Sequence, residues 1–348
     1  MDTKYILIDN KNIDSALISE AGQIIRNGGL VAFPTETVYG LGADAANPDA
    51  SRKIYAAKGR PSDNPLIVHI CEFSQLEDIA EELPPVAREL SDAFWPGPMT
   101  LIVKKNEKIP YETTGGLDTV AVRMPSDPIA AALIRASERL IAAPSANASG
   151  RPSPTRASHV KEDLDGKIDM IIDGGECGLG LESTIIDLSD EEPVILRPGC
   201  ITPEMLNNVI GKVSLDKGLA PDSDTRPKAP GMKYRHYAPK GKLLIIEGND
   251  MAVADKINSL VAGSKQVGRK AAVICTEETR GLYDSEHIYI IGRRSDESSI
   301  AHNLFAVLRK MDEDGFEDIY SESFSGAGVG TAIMNRLLKA AGHQIIEV

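Results

Sequence analysis

The stretch from Leu30 to His69 constrains this chain more than any other. A short apolar strand, Leu30-Val31-Ala32-Phe33, breaks at Pro34. Pro34-Thr35-Glu36-Thr37-Val38-Tyr39-Gly40-Leu41-Gly42 follows, hydroxyls and glycines that read as a turn. Ser51 to Ala57 has helical character and runs into Lys58-Gly59-Arg60-Pro61-Ser62-Asp63-Asn64-Pro65. A second apolar strand, Leu66-Ile67-Val68, delivers His69. Two strand ends and two polar loops therefore meet within one short stretch. Open α/β sheets bind ligands in the crevice outside their strand ends, so a pocket is expected here.

The flanking chain supplies the rest of a sheet-and-helix domain. Asn12 to Asn27 reads as an amphipathic helix with Ile13, Leu17, Ile24 and Ile25 on its apolar side. Asn27-Gly28-Gly29 stops it. Val86, Leu90 and Phe94 recur at helical spacing until Trp95-Pro96-Gly97-Pro98. Met99 to Val103 and Thr119 to Met124 are strand candidates, the second carrying Arg123 just before Pro125. Ile129, Leu133 and Ala136 make a helix face. Leu140 to Ala143 leads into a loop dense in hydroxyls and amides, Pro144 to Thr155. Met170 to Ile172, Thr184 to Leu188 and Pro193 to Leu196 are further strands, and Pro203 to Ile210 a closing helix. Hairpin and crossover spacings alternate, which predicts an open, twisted, mixed sheet.

Residues 211–240 lack periodicity and hold Pro221, Pro227, Pro230 and Pro239, the pattern of a linker or lid. From Lys242 strand and helix alternate at βαβ length. The strands are Leu243 to Ile246, Ala271 to Cys275, Ile288 to Ile291 and Phe316 to Tyr320. The last two helix faces are Ile300-Leu304-Val307-Leu308-Met311 and Val329-Ile333-Leu337. A smaller Rossmann-like parallel α/β domain is expected. The expected division is a catalytic domain over 1–210, a linker or lid over 211–240 and a small α/β domain over 241–348.

A net charge of −13 argues against a protein that coats nucleic acid, but leaves room for a local basic pocket. Cys71, Cys177, Cys200 and Cys275 lie far apart, with neither disulfide-framework nor zinc spacing, as in a reducing cytoplasm. Residues 1–10 lack a signal-peptide apolar region, and no apolar run is long enough to span a bilayer. A soluble, cytoplasmic protein without a membrane partner is expected.

Several signatures are missing: no Gly-x-x-x-x-Gly-Lys-Ser/Thr loop, no Gly-x-Ser-x-Gly elbow, no His-Glu-x-x-His. Gly326, Gly328 and Gly330 precede the last helix in the wrong spacing for a dinucleotide site, and helix entry explains them better. Lys58 and Arg60 are either solvated charges at a helix end or a polyphosphate clamp. His69 is either a structural imidazole or a catalytic one. Arg123 and Arg197 both end strands directly before a proline. With Lys58 and Arg60 they place four cations at sheet ends, which an acidic protein needs to hold an anionic ligand. The serines of the 144–155 loop have no evident base, which argues against a covalent nucleophile.

Taken together these stretches resemble the YrdC-type threonylcarbamoyl-AMP synthases. The resemblance is carried by Phe33 to Gly42, Lys58-Gly59-Arg60-Pro61 with Asn64-Pro65-Leu66, Trp95-Pro96-Gly97-Pro98-Met99-Thr100 and Val122-Arg123-Met124-Pro125. It continues through Ala143-Pro144-Ser145-Ala146-Asn147, Ser183-Thr184-Ile185 and Leu196-Arg197-Pro198-Gly199. Pro230-Gly231-Met232-Lys233-Tyr234-Arg235-His236-Tyr237-Ala238-Pro239 and Ala332-Ile333-Met334-Asn335-Arg336-Leu337 resemble the linker and second domain of the longer, two-domain branch.

The resemblance implies a nucleotidyltransferase that converts L-threonine, bicarbonate and ATP into threonylcarbamoyl-AMP, pyrophosphate and water, for threonylcarbamoyladenosine modification of tRNA. It implies Mg²⁺ accompanying ATP, held mainly by the phosphates, with no protein metal cage. It assigns Lys58, Arg60, Asn64, Thr119, Ser145, Ser153, Arg197, Tyr234 and His236 to ATP. It assigns Thr35, His69, Arg123, Ala143 (through its backbone) and Ser183 to threonine. Lys58, Arg60 and His69 are the catalytic candidates, His69 either as a base or as a hydrogen-bond partner. Downstream partners are the tRNA threonylcarbamoyl transferase machinery, with weak direct RNA binding left open. The competing reading is a double-stranded RNA-binding module using the same basic face, which would need phosphate contacts spread over a long surface. A third is a hydrolase of carbamoyl-phosphate-like substrates.

Overall fold

The computed structural model describes residues 2–216, 236–324 and 326–348. Tyr234 and most of the expected linker, including Pro230-Gly231, lie outside the described residues. Two compact units divide the chain. The first holds residues 2–149, 153–178 and 182–216, and the second holds 150–152, 179–181 and the described residues from 236 onward.

Among the described residues the first unit is built on one mixed sheet. Its strands are β1 (Lys4–Leu7), β2 (Val31–Phe33), β3 (Gly40–Asp44), β4 (Ile67–His69), β5 (Met99–Lys104), β6 (Thr119–Arg123), β7 (Ile141–Ala142), β8 (Met170–Asp173), β9 (Thr184–Asp187), β10 (Val194–Arg197) and β11 (Ser214–Leu215). Their order is β1-β8-β2-β3-β7-β4-β6-β5-β9-β10-β11. The pairs β4–β6 and β5–β9 are parallel, whereas β2–β3, β4–β7, β5–β6 and β9–β10 are antiparallel. The expectation of an open mixed sheet holds. One local expectation does not: Gly40 and Gly42 are not in a turn but in β3, which pairs with β2 as a hairpin. A Cβ on Gly42 would stand 2.8 Å from both Ile141 Cγ2 and Phe33 Cε1, so the glycine lets three strands crowd together. β11, which adds a strand beside β10, falls in the stretch expected to be linker.

Period-two alternation sends the strands to two cores. Val31, Phe33, Met170 and Ile172 pack with α1 (Ser15–Arg26) and, later in the chain, with the helix Pro128–Ser137. Leu30, Ala32 and Ile171 face the other side, where α2 (Pro48–Lys58), α3 (Phe73–Ile79) and α4 (Pro85–Phe94) contribute Ile54, Leu76 and Leu90. The helix Pro128–Ser137 is α5, followed by α6 (Ala157–Leu164) and α7 (Pro203–Ile210). The buried stripe of α1 is Ile18-Ala21-Gly22-Ile25; of the expected face Ile25 lies in it, and Ile13, Leu17 and Ile24 are half-buried and pack at its edge. Gly22 belongs to the stripe because the backbone of α5 comes too close there for any side chain. On the half of the sheet formed by β4, β5, β6, β9 and β10, the face opposite α2–α4 carries only a small cluster. Ile67, Ile102, Ala121, Ile185 and Leu196 form it, all from strands. That face is where the strand-end residues sit.

The second unit has an all-parallel sheet of β12 (Lys242–Glu247), β13 (Ala271–Thr276), β14 (Ile288–Gly292), β15 (Asp318–Glu322) and β16 (Ile345–Glu347), in the order β14-β13-β15-β12-β16. Helices α8 (Asp250–Gln266), α9 (Glu297–Glu313) and α10 (Gly328–Ala340) alternate with the strands, as expected of a parallel α/β domain. The Gly330 N–H at the start of α10 donates to Glu297 Oε2 at 2.9 Å, which matches helix entry for the glycine run. Among the described residues no helix is long and apolar enough to cross a membrane.

Candidate active site

Sheet register explains why distant residues meet. His69 pairs laterally with Arg123, Arg123 with Thr100, Thr100 with Ile185, and Ile185 with Arg197. Laterally paired residues share a face, so one row of functional side chains crosses β4, β6, β5, β9 and β10. Ser183, directly before β9, joins the row: its Oγ lies 2.7 Å from Thr100 Oγ1. Arg197 holds it by Nη2 to Oγ at 3.1 Å and by Nε to the carbonyl at 3.0 Å.

The β2–β3 hairpin loop closes against this row. The Thr35 hydroxyl donates to the Val38 carbonyl at 2.6 Å and lies 2.9 Å from Thr37 Oγ1. Its one proton is thereby used, so Thr37 donates to Thr35 and in turn accepts from Arg123 Nη1 at 2.8 Å. Arg123 Nη2 faces Glu36 Oε1 at 2.8 Å, the arginine buried and the glutamate largely so. Burial pushes the Glu36 carboxyl up, but the Arg123 guanidinium outweighs it and holds the group below the usual carboxylate range.

His69 is fully enclosed. Its Nδ1 lies 3.1 Å from the Ile67 carbonyl and its ring meets Phe33 edge-on at 6.2 Å. Desolvation first, and the nearby Arg123 charge second, push its pKa down to about 3, so the imidazole is neutral at physiological pH. The Ala143 N–H donates to the Ile67 carbonyl at 2.8 Å, so a backbone contact from Ala143 to a ligand would use its carbonyl.

The second loop is held by a buried lysine. Lys58 ends α2, where its charge complements the helix dipole, and Gly59 follows in the left-handed conformation (φ 62°). Lys58 Nζ donates to the carbonyls of Ser145 and Asn147, and the Ser149 N–H donates to the Lys58 carbonyl at 2.8 Å. Ser145 Oγ in turn donates to Asn147 Oδ1. Arg60 curls back through Nε to the Asn64 carbonyl and Nη2 to the Pro65 carbonyl. The Asn64 side-chain oxygen is buried and accepts no hydrogen bond among the described residues. Ser153 donates to Glu182 Oε1 at 2.6 Å.

A model for the family described as Telomere recombination matches residues 23–199, and one for the Threonylcarbamoyl-AMP synthase, C-terminal domain, matches 201–342. The chain belongs to the threonylcarbamoyl-AMP synthase family. It is 50% identical over 340 residues to threonylcarbamoyl-AMP synthase of Bacillus subtilis, covering 97% of each chain. It is 42% identical to the Schizosaccharomyces pombe synthase, covering 93% of this chain and 88% of that one. Among solved structures, Pyrococcus abyssi Sua5 complexed with L-threonine matches with a TM-score of 0.94 at 49% identity, over 99% of this chain and 100% of that one.

Within this family member, one row or its two loops gather Thr35, Lys58, Arg60, Asn64, His69, Arg123, Ala143, Ser145, Ser183 and Arg197, with Ser153 farther along the second loop. Thr119 stands apart. It opens β6 at the end opposite Arg123, about 13 Å away by strand rise, and lines a surface depression with Lys104, Lys105, Lys108 and Tyr111. His236 belongs to the second unit, its ring 5.5 Å from that of Tyr237. Sequence reasoning passed over Glu36, Thr37, Thr100, Asn147 and Glu182. Glu36 had a signal, as the one charge between Leu30 and Leu41. Thr100 and Glu182 had none, because only strand register and loop closure bring them in.

Proposed function

We propose that this chain is an L-threonylcarbamoyladenylate synthase, a nucleotidyltransferase that makes threonylcarbamoyl-AMP, pyrophosphate and water from L-threonine, bicarbonate and ATP. The observation that carries this reading is full-length likeness to threonylcarbamoyl-AMP synthases combined with one strand-end row that holds Arg123 and Arg197 beside the loop anchored by Lys58. The threonine nitrogen attacks the bicarbonate carbon, a C–N bond forms and water leaves. A carbamate oxygen then attacks the α-phosphorus of ATP, and the bond to the β-phosphate breaks to release pyrophosphate. Each intermediate is more anionic than the amino acid, so prearranged cations favour both steps.

In this reading Arg123 takes the threonine carboxylate as a planar fork. Arg60 and Arg197 face phosphate, with Ser145 and Ser153 as hydroxyl partners. Lys58 contributes charge and also fixes the carbonyls of the loop that carries Ser145. The unfilled Asn64 oxygen is a buried acceptor suited to a ligand donor. His69 acts as a neutral hydrogen-bond partner, because an imidazole whose conjugate acid titrates near 3 is a poor base for an ammonium group. Mg²⁺ enters with ATP as part of the substrate. Among the described residues no cluster of three or more His, Cys, Asp or Glu side chains could hold a metal ion. The mixed anhydride passes to a tRNA threonylcarbamoyl transferase in the cytoplasm.

The test is pyrophosphate release, with mass spectrometry of the product formed from labelled bicarbonate. Release that requires both threonine and bicarbonate, with label in a threonylcarbamoyl-AMP product, is expected. Phosphate in place of pyrophosphate would instead mark a hydrolase, and RNA affinity without turnover a binding module.

A further inference from the structure

The Glu36–Arg123 pair is close but mismatched. The two groups stand 2.8 Å apart and the Ser126 backbone also faces the Glu36 carboxylate, yet both Glu36 oxygens and Arg123 Nη2 are buried atoms without a well-directed hydrogen bond. Native proteins leave few such atoms unsatisfied, and two opposite charges that could satisfy each other by a small rotation are a notable place to find them. A purely structural ion pair gains from alignment, because desolvation of both charges is offset only by good geometry. Arg123 is not free to turn: Nη1 is held by Thr37, and Nε lies 3.4 Å from the Gly97 carbonyl. Glu36 sits beside Thr35 on a loop tied by the Thr35 and Thr37 hydroxyls.

The unused capacity has the shape of an amino acid. An α-amino acid is a zwitterion, with a carboxylate and an ammonium group separated by one carbon. A fixed guanidinium and a fixed carboxylate side by side present the complementary dipole. His69, the neighbour of Arg123 in the row, is neutral and offers no charge to either end. We infer that Glu36 and Arg123 form a zwitterion clamp, in which Glu36 receives the α-ammonium group of the substrate while Arg123 receives its carboxylate. This rests on the L-threonine reading of the site and adds a binding residue to it. The clamp holds the amine next to an ionised carboxylate until it reacts, and it rejects acids that lack an amine. Such an acid must share Arg123 with Glu36 and brings nothing for Glu36 in return.

Calorimetric titration of the full-length protein with two ligands tests this. One is L-threonine, the other the R enantiomer of β-hydroxybutyrate, which is threonine without its amino group. The wild-type protein should prefer threonine by at least roughly tenfold, as loss of a buried charge partner predicts. Glu36→Gln should weaken threonine at least tenfold and hold or improve β-hydroxybutyrate, because the competing carboxylate is gone. Glu36→Asp should restore the preference. ATP affinity reports whether each variant is folded. Equal losses for both ligands in Glu36→Gln, or unchanged threonine affinity, would overturn the clamp. So would a wild-type protein that binds the two acids equally. A wild-type protein that ignores threonine would overturn the threonine reading itself, and the clamp with it.

Discussion

His69 shows how far environment decides what a residue can do. As a lone histidine at a strand end it was open to two roles, structural or catalytic. Enclosure among Phe33, Ile67 and Arg123 removes its charge and makes it a sensor of folding. The unfolded chain takes up a proton on this residue near pH 6.5, whereas the folded protein does not until near pH 3. Between those values the unfolded state binds the extra proton, so stability falls as pH drops below about 6.5. At pH 5 this one group should cost about 2 kcal/mol relative to neutral pH. Glu36, held low by Arg123, acts in the same direction once pH enters the ordinary carboxylate range, and Asp127, raised by burial, acts in the opposite one, so comparison with a His69 variant isolates the histidine. Urea unfolding of wild type and His69→Gln at both pH values checks this. The variant should lack the 2 kcal/mol decline, and a parallel decline in both proteins would show that His69 does not titrate as described.

At the scale of elements, close approach decides more than propensity. Gly22 lies mid-helix in α1, where alanine would ordinarily gain roughly 1 kcal/mol. Here an added Cβ would meet the Ala136 backbone at 2.7 Å and the Ser137 nitrogen at 2.9 Å. Backbone in α5 cannot step aside as a side-chain end can, and overpacking of this kind costs roughly 1–3 kcal/mol. Gly22→Ala is therefore expected to destabilise the first unit by up to about 2 kcal/mol in urea, and a gain would mean α1 and α5 are looser than described. The same effect marks the limits of what could be read from the chain beforehand. Helices with regular apolar spacing and strands rich in Val and Ile were legible, and so were the motif residues Lys58, Arg60, Arg123 and Arg197. The face of α1 was legible only in part: Ile25 and its flanking residues were found, but Gly22 was not, because a glycine carries no apolar signal although it marks a very close contact. β3 was hidden for the same reason, since Gly40 and Gly42 look like a turn. The row His69-Arg123-Thr100-Arg197 was legible only as separate residues. Strand order and register, which place β4 beside β6 and β5 beside β9, follow from long-range pairing that no local pattern records.

At the scale of the whole chain, sequence order and compactness disagree. The second unit is not a contiguous C-terminal piece, because it includes residues 150–152 and 179–181. Arg309, on the apolar side of α9, is wholly buried and donates from Nη2 to the Pro152 carbonyl at 2.7 Å. The Ala238 N–H donates to the Gly150 carbonyl at 3.0 Å, and Arg151 stands 3.6 Å from Asp312. Gly180 lies where any side chain would meet the His302 backbone at 2.5 Å. A fragment of residues 236–348 would keep its parallel sheet and its cluster of Ile246, Ile257, Val273 and Tyr320, so it should fold. It would lack the carbonyl that Arg309 uses, and a charged hydrogen bond lost inside a protein costs about 1.5–3 kcal/mol. Hydrogen exchange reads this directly, since the central amides of β15 exchange only by extensive opening of the unit. They should exchange at least roughly tenfold faster in the fragment than in the full chain, a factor set by that energy. Arg309→Met in the full chain separates the charge from the segment: its β15 protection should exceed that of the fragment, because the other contacts of residues 150–152 remain. Equal protection in fragment and full chain would mean that these short segments rest on the second unit without stabilising it.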